Sequence, residues 1–268
     1  MRVVGTSQAH AGDGPNEDAI GWNQLETLAF VADGVGGSAK GEVASGLVKQ
    51  VFEAAGAQTD LKQLALAAHA RIREGAADKP ESTGMASTLV AVGIAGNEAR
   101  VVWVGDSRAY LWRNDGLKRL TKDHSFAEIA RDEERLTETQ VRRHPGHNMI
   151  LQALGRDSPD PSETRIRLRN KDRLLLCSDG LSGCMRDDEI ARVLRSQGTL
   201  EALPGMLIAA AVAAGSKDDI SVVLVEHEQS GGWLTWPASL SLRAWLMIGV
   251  VGAAAVLFAA ASYLLIHK

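Results

Sequence analysis

Two hydrophobic rhythms alternate along the chain. In "GEVASGLVKQVFEAAG", Val43, Leu47, Val48, Val51 and Phe52 recur at helical spacing. "DLKQLALAAHARIREG" repeats that rhythm behind Asp60, a residue suited to cap a helix N-terminus. Ahead of both, "LETLAFVAD" reads as a mostly buried strand that ends on Asp33. Behind them come "STLVAVGIA", a turn at "GNE", "ARVVWVGD", "SRAYLWR", a turn at "NDG" and "LKRLTKDH". The Asn114-Asp115-Gly116 turn is a strong hairpin signal. "FAEIARDEERLTETQVRRH" is polar and helical, with Thr137 capping its second half and Pro145-Gly146 stopping it. Strands return at "ETRIRLR" and "DRLLLCSD", helices at "DDEIARVLRSQ" and "TLEALPGMLIAAAVAAG", and the last strand is "DISVVLVEH". Hairpin-like strands follow one another, with helices grouped between them rather than alternating one for one. The pattern predicts an α+β domain built on antiparallel sheets, and two sheets, each covered by helices, account for the strands.

The rhythm changes at "EHEQSGGWLTWPASLSLR", where Ser230, Gly231, Gly232 and Pro237 break structure. From Ala244 to Ile266 the chain reads "AWLMIGVVGAAAVLFAAASYLLI", without a charge. As a helix this run would extend roughly 34 Å, enough to cross a hydrocarbon layer of roughly 30 Å. Trp245 and Tyr263 lie near its two ends, as interfacial aromatics do, and Arg243 precedes it. Residues 1–228 are therefore expected to form the folded domain, 229–243 a linker and 244–266 a transmembrane helix. "MRVVGTSQAH" has no apolar signal core. The expectation is a single-pass, C-terminally anchored protein of the cell membrane, its large domain in the cytoplasm.

Composition narrows the classes. With 45% hydrophobic residues but 4% aromatics, the core should be aliphatic. A net charge of -4, with no Lys/Arg-rich run, gives no reason to expect nucleic-acid binding. Cys177 and Cys184 are too few for a disulfide framework and read as small buried hydrophobes in a reducing compartment.

The chemistry concentrates in acids placed at strand ends or turns: Asn16, Glu17 and Asp18 in "PNEDA", Asp33 in "FVADGVGG", Asp106 in "VWVGDSRAYLW", Asp179 in "LLLCSDGLSG", and Asp218 and Asp219 in "GSKDDISVVLV". One such acid is ordinarily a turn residue. Five such segments in one domain are harder to explain that way, because buried carboxylates cost several kcal/mol each, roughly, unless paired or bound to metal. Oxygen donors without histidine or cysteine select Mg²⁺ or Mn²⁺. Gly34, next to Asp33, lets the backbone approach closely enough for its carbonyl to serve as a donor too.

In sequence and order, "NEDA", "VADGVGG", "GDSRAYL", "LTKDHS", "RRHPGHNMILQALG", "LLLCSDGLSG" and "SKDDISVVLV" resemble the bacterial metal-dependent protein phosphatases of the type 2C family, over about residues 1 to 226. The resemblance implies a central sandwich of two antiparallel sheets flanked by helices on both sides. It also implies two Mn²⁺ or Mg²⁺ ions at one end, with a third, weaker ion in bacterial members. Carried over by motif, Asp33 bridges two metals, with the Gly34 carbonyl and Glu17 on one and Asp179 and Asp218 on the other. Asp18 orients metal-bound water, and Asp106 with Asp179 matches the third site. The implied activity is one-step hydrolysis of phosphoserine and phosphothreonine in proteins, reversing a serine/threonine kinase at the membrane. That kinase or its substrates would be the partners. The segment from Phe126 to His147 corresponds to a flap beside the site.

Two departures stand out. Asp13 occupies the place of an arginine that grips the substrate phosphate in the family. Either another base such as Arg2 or Arg108 takes that role, or the loop runs differently, or substrate affinity is low. Arg142, with Arg143, is a solvated flap face or a phosphopeptide contact. Asp219 stands where asparagine is commoner. Two other functions share these residues: a catalytically weak module that binds phosphoproteins, and a phosphatase of small phosphoesters.

Overall fold

In the computed structural model the described residues are 1–228 apart from 11–13, 24, 26, 36–39, 57–58, 78–83, 135, 138, 141–145 and 147–148. Among them, one sheet consists of β1 (Arg2–Gln8), β11 (Ile220–Glu226), β10 (Arg173–Cys177), β7 (Arg108–Arg113) and β8 (Gly116–Arg119), side by side in that order. The other consists of β2 (Asp18–Trp22), β3 (Leu28–Val35), β5 (Leu89–Ala95), β6 (Glu98–Val104) and β9 (Ser162–Arg167), with the two-residue β4 (Ala86–Ser87) beside the end of β3. Every pairing is antiparallel.

The two-residue period of the strands sorts their side chains into three apolar layers. Leu28, Phe30 and Ala32 of β3 face Val48, Phe52, Leu64 and Ile72, which belong to helices α1 (Gly41–Glu53) and α2 (Leu61–Ala76). Their alternates Ala29 and Val31 face inward, with Val90 and Val101, onto Leu174, Leu176 and Val223 of the opposite sheet. Leu175, Val222 and Leu224 point outward again, onto Ile190 of α5 (Asp187–Leu194) and Leu207 of α6 (Leu203–Ala213). The layers run helix, sheet, sheet, helix, as expected. Strands buried on both faces read as nearly unbroken apolar runs, which is why they stood out in the sequence.

Several local expectations are met as well. Asp60 caps α2 by accepting N–H bonds from Lys62 and Gln63. Asn114 and Asp115 take positive φ values of 50° and 58°, the signature of a tight hairpin turn between β7 and β8. Other expectations are corrected. β3 runs through Asp33 to Val35, because Gly34 and Val35 pair with Ser87 and Ala86. β1 and β2, which no expectation covered, carry weak apolar patterns but find partners in β11 and β3. Of "LKRLTKDH", only the first residues are strand. The polar helix α3 spans Phe126–Glu134; behind Thr137, whose N–H donates to Gln140 Oε1 at 2.8 Å, Thr139 and Gln140 are helical again, and 141–145 lie outside the described residues.

Among the described residues no helix is long and apolar enough to cross a membrane. The run 244–266 expected to do so, its linker, Asp13, Arg142, Arg143, His144 and His147 lie outside the described residues.

A chain of ion pairs anchors α3. Arg108 meets Asp123, whose other oxygen takes Arg119. Arg119 also reaches Glu128 at 3.2 Å, and Glu128 receives Arg131 as well. The Glu128 side chain is 3% exposed, so removing it takes a buried acceptor from Arg119, which keeps Asp123, and from the partly exposed Arg131. Glu128→Ala is expected to cost about 2 kcal/mol in urea denaturation, where a surface pair would cost about 0.5 kcal/mol.

Candidate metal centre

Two glycines bring the first acids together. The β2–β3 register sets Asp18 directly opposite Asp33, and the Gly34 N–H donates to the Glu17 carbonyl at 3.0 Å. A Cβ on Gly34 would lie 2.3 Å from the Gly41 carbonyl oxygen, and one on Gly41 would lie 2.7 Å from Glu17 Oε2. Only bare backbone lets the start of α1 press onto the strand end here. Asp33 is then held by Thr88: its N–H donates to Thr88 Oγ1 at 3.1 Å, and its carbonyl accepts the Thr88 N–H at 2.8 Å. Thr88 Oγ1 in turn lies 2.7 Å from Ser107 Oγ, which fixes the turn bearing Asp106.

The opposite sheet delivers the rest. β10 leads through Ser178 into Asp179, the first residue of the short helix α4 (Asp179–Ser182). Ser178 Oγ donates to Asp18 Oδ2 at 2.8 Å, a hydrogen bond between the two sheets. It also accepts the Ser221 N–H at 2.9 Å. A Cβ on Gly180 would sit 2.0 Å from the Asp219 carbonyl oxygen, so the Asp218-Asp219 turn rests flat against α4. Asp219 accepts two main-chain N–H groups, from His10 at 2.7 Å and from Glu17 at 2.6 Å.

The electrostatics confirm that these acids feel one another. Burial, then Asp179, Asp18, Asp106 and Asp218, hold the Asp33 carboxyl well above the usual aspartate range. Burial and the neighbouring Asp218 raise Asp179 from 3.8 to about 6, although its hydrogen bond with Asp33 works the other way. Asp18 rises to about 8, chiefly through burial and against the hydrogen bonds of Ser221 and Ser178. Asp106 rises through burial, Asp179 and Asp123, while Arg108 opposes. Glu17 rises through burial, then Glu42, Asp219 and Asp218.

Do these residues suit a divalent cation? Among the described residues, no three His, Cys, Asp or Glu side chains form a ready-made cage. Carboxylates that repel one another are not expected to stand closed by themselves. The donor set nevertheless fits a hard ion. Its donors are all oxygen, and Asp106 Oδ1 and Asp179 Oδ1 are buried with no hydrogen-bond partner.

One expectation changes, and two hold. Arg108, a candidate for the substrate phosphate, donates from Nε and Nη2 to Asp123 and from Nη1 to the Tyr110 hydroxyl. Its guanidinium is committed to holding the fold. His124 is structural, with Nδ1 accepting the Gly105 N–H at 3.3 Å and Nε2 lying 3.0 Å from Ser162 Oγ. Burial pushes the Cys177 thiol up to about 12, which leaves it protonated and inert. Sequence reasoning missed Ser178, Thr88, Ser107, Ser221 and Glu42. Short hydroxyls carry no pattern, and Glu42 reads as an ordinary acid in a helix's first turn.

The sequence profile of protein phosphatase 2C matches residues 4–211. The chain belongs to the protein phosphatase 2C family. It is 36% identical over 218 residues to the serine/threonine protein phosphatase PstP of Mycobacterium tuberculosis, a match covering 79% of this chain and 42% of that protein. The chain thus aligns with less than half of that longer relative. With the serine/threonine phosphatase stp of Listeria innocua it shares 33% identity over 215 residues, 75% of this chain and 85% of that protein. Among solved structures, the catalytic domain of PstP in complex with two manganese ions superposes with a TM-score of 0.73 at 33% identity, covering 83% of this chain and 96% of that one.

The acids also set a pH dependence for this family member. Asp179 and Asp18 are raised in the fold, so the metal-free protein is favoured below about pH 4 by these groups and loses that favour as pH rises through about 6 to 8. The rise of Asp179 alone, from 3.8 to about 6, corresponds to about 3 kcal/mol. In EDTA, urea denaturation should therefore show higher stability at pH 6 than at pH 8, and excess Mn²⁺ should narrow the difference. By the same reasoning, Asp33→Asn should raise the melting temperature in EDTA by a few degrees, since it removes a buried charge; a fall would contradict the repulsion described here.

Proposed function

We propose that the domain hydrolyses phosphoserine and phosphothreonine in proteins, reversing serine/threonine kinase signalling at the membrane. The observation that carries this reading is the meeting of Asp18 and Asp33 from one sheet with Asp179 and Asp218 from the other and Asp106 from the turn between β6 and β7, where one oxygen each of Asp106 and Asp179 is buried without a partner. The named phosphatase relatives support it. Asp33, the Gly34 carbonyl and Glu17 would hold one cation, Asp33, Asp179 and Asp218 a second, and Asp106 with Asp179 a third. Bound Mn²⁺ or Mg²⁺ supplies positive charge that lowers the pKa of coordinated water and offsets charge on the phosphoryl oxygens.

The chain's own residues have the remaining tasks. Asp18, fixed by Ser178 Oγ, is placed to hold a proton beside the reacting water. Thr88 keeps the Asp33 backbone in register, so that the carboxylate enters the site at a fixed angle. Burial of Asp18, Asp33, Asp106 and Asp179 strengthens the electrostatic interactions of their carboxyl groups. No side chain needs to form a covalent intermediate, and Cys177 is in no state to do so.

Membrane attachment rests on the uncharged run 244–266, which would hold the domain close to the bilayer through a short linker. One observation favours the second reading, a weak phosphoprotein-binding module. With Arg108 committed to Asp123, the substrate phosphate loses the base assigned to it from the sequence.

Turnover decides between them. The full chain in detergent is expected to release phosphate from a phosphothreonine peptide with Mn²⁺, and Asp33→Asn or Asp179→Asn should lower kcat by at least about 10²–10³-fold. Activity that survives excess EDTA would refute the metal mechanism. Peptide binding without turnover at saturating Mn²⁺ would establish the second reading. For attachment, the full chain should sediment with membranes and resist alkaline carbonate, while residues 1–228 stay in the supernatant.

A further inference from the structure

We propose that Asp219 is a positioning residue that ties the two sheets together at the acid cluster and seats Glu17; the inference rests on the metal-centre reading above. Asp219 stands immediately before β11, in one sheet, and Glu17 immediately before β2, in the other. Between them run two short bonds: Asp219 Oδ2 accepts the Glu17 N–H at 2.6 Å, and Oδ1 accepts the His10 N–H at 2.7 Å. These contacts span 202 and 209 residues of sequence, so they fix the N-terminal segment against the end of the chain's last strand.

Asp219 is itself well anchored. Its own N–H donates to Asp218 Oδ1 at 2.9 Å, and its carbonyl oxygen lies so close to Gly180 that a Cβ there would come within 2.0 Å. A single residue therefore joins the Asp179–Gly180 turn, Asp218 and Glu17 in one rigid unit. The chemistry also explains why an acid stands here. Two main-chain donors meet different oxygens of the side chain, His10 N–H at Oδ1 and Glu17 N–H at Oδ2, and a carboxylate alone offers an acceptor oxygen in both places. An asparagine would turn its NH₂ toward one of the N–H groups and leave that donor unpaired.

A negative charge so near Glu17 and Asp218 also attracts cations directly, so the test must separate position from charge. Asp219→Glu keeps the charge and moves it by one methylene; Asp219→Asn keeps the shape and loses one acceptor. Two measurements are made on the full chain in detergent, with circular dichroism to confirm folding: Mn²⁺ affinity by calorimetry, and amide exchange at His10 and Glu17 by NMR. If Asp219 positions Glu17, both variants weaken Mn²⁺ binding by about tenfold or more, and each loses protection at one or both amides. Wild-type Mn²⁺ affinity in Asp219→Glu would show that only charge matters and would overturn the proposal, as would unchanged protection at both amides in both variants. If the wild-type chain binds no Mn²⁺ at all, the metal-centre reading fails instead, and amide exchange still decides whether the clamp exists.

Discussion

Mutual repulsion among carboxylates in a protein-lined recess is the constraint from which the rest of this molecule follows. Asp33 alone is opposed by Asp179, Asp18, Asp106 and Asp218, on top of the cost of leaving water. Such a cluster is unstable by itself, and a flexible chain would let it fly apart. Holding it requires attachment points that do not yield. The fold provides them by taking the acids from the ends of strands in two sheets that share a close-packed apolar layer, Val31, Val90 and Val101 against Leu174, Leu176 and Val223.

The connections that finish the site are small and local. Gly34 and Gly41 let a helix start touch a strand end, and Gly180 lets α4 lie on the Asp219 carbonyl. Thr88 and Ser178 fasten Asp33 and Asp18 with hydrogen bonds of 3.1 Å and 2.8 Å. A bulky residue at any of these places would push acids apart by more than a cation's coordination tolerates. Shape at the backbone level thus sets the electrostatics.

Much of this was legible in the sequence, and the limits of legibility are physical. The doubly buried strands β3, β5, β6, β10 and β11 are unbroken apolar runs, so they could be read directly. β1 and β2 could not, because much of their surface is only half-buried and their existence depends on pairing with β11 and β3, a long-range event that leaves little local trace. The acids were visible one by one as breaks in apolar runs, and their order along the chain carried the family resemblance. Their convergence was not visible, because register and sheet packing decide it. Arg108 shows the opposite failure. The sequence places it two residues from Asp106, yet strand alternation turns it toward Asp123 and Tyr110.

How the chain treats its other acids makes the case for a cation from within the protein. Where Asp172, Glu226, Glu163 and Asp123 become buried or half-buried, each receives an arginine: Arg113 at 2.6 Å, Arg173 at 2.8 Å, Arg100 at 2.8 Å and Arg108 at 2.7 Å. The fold therefore has a working solution for carboxylates that leave water, and uses it repeatedly. Among the described residues no ion pair includes Glu17, Asp18, Asp33, Asp106, Asp179 or Asp218. Even Arg108, whose charge is felt by Asp106 and Asp179, gives its hydrogen bonds to Asp123 and Tyr110. Supplying an arginine there would have stabilised the fold and occupied the donor oxygens. Withholding it leaves oxygens of Asp106 and Asp179 free for a partner that carries charge without a side chain, as a divalent cation does.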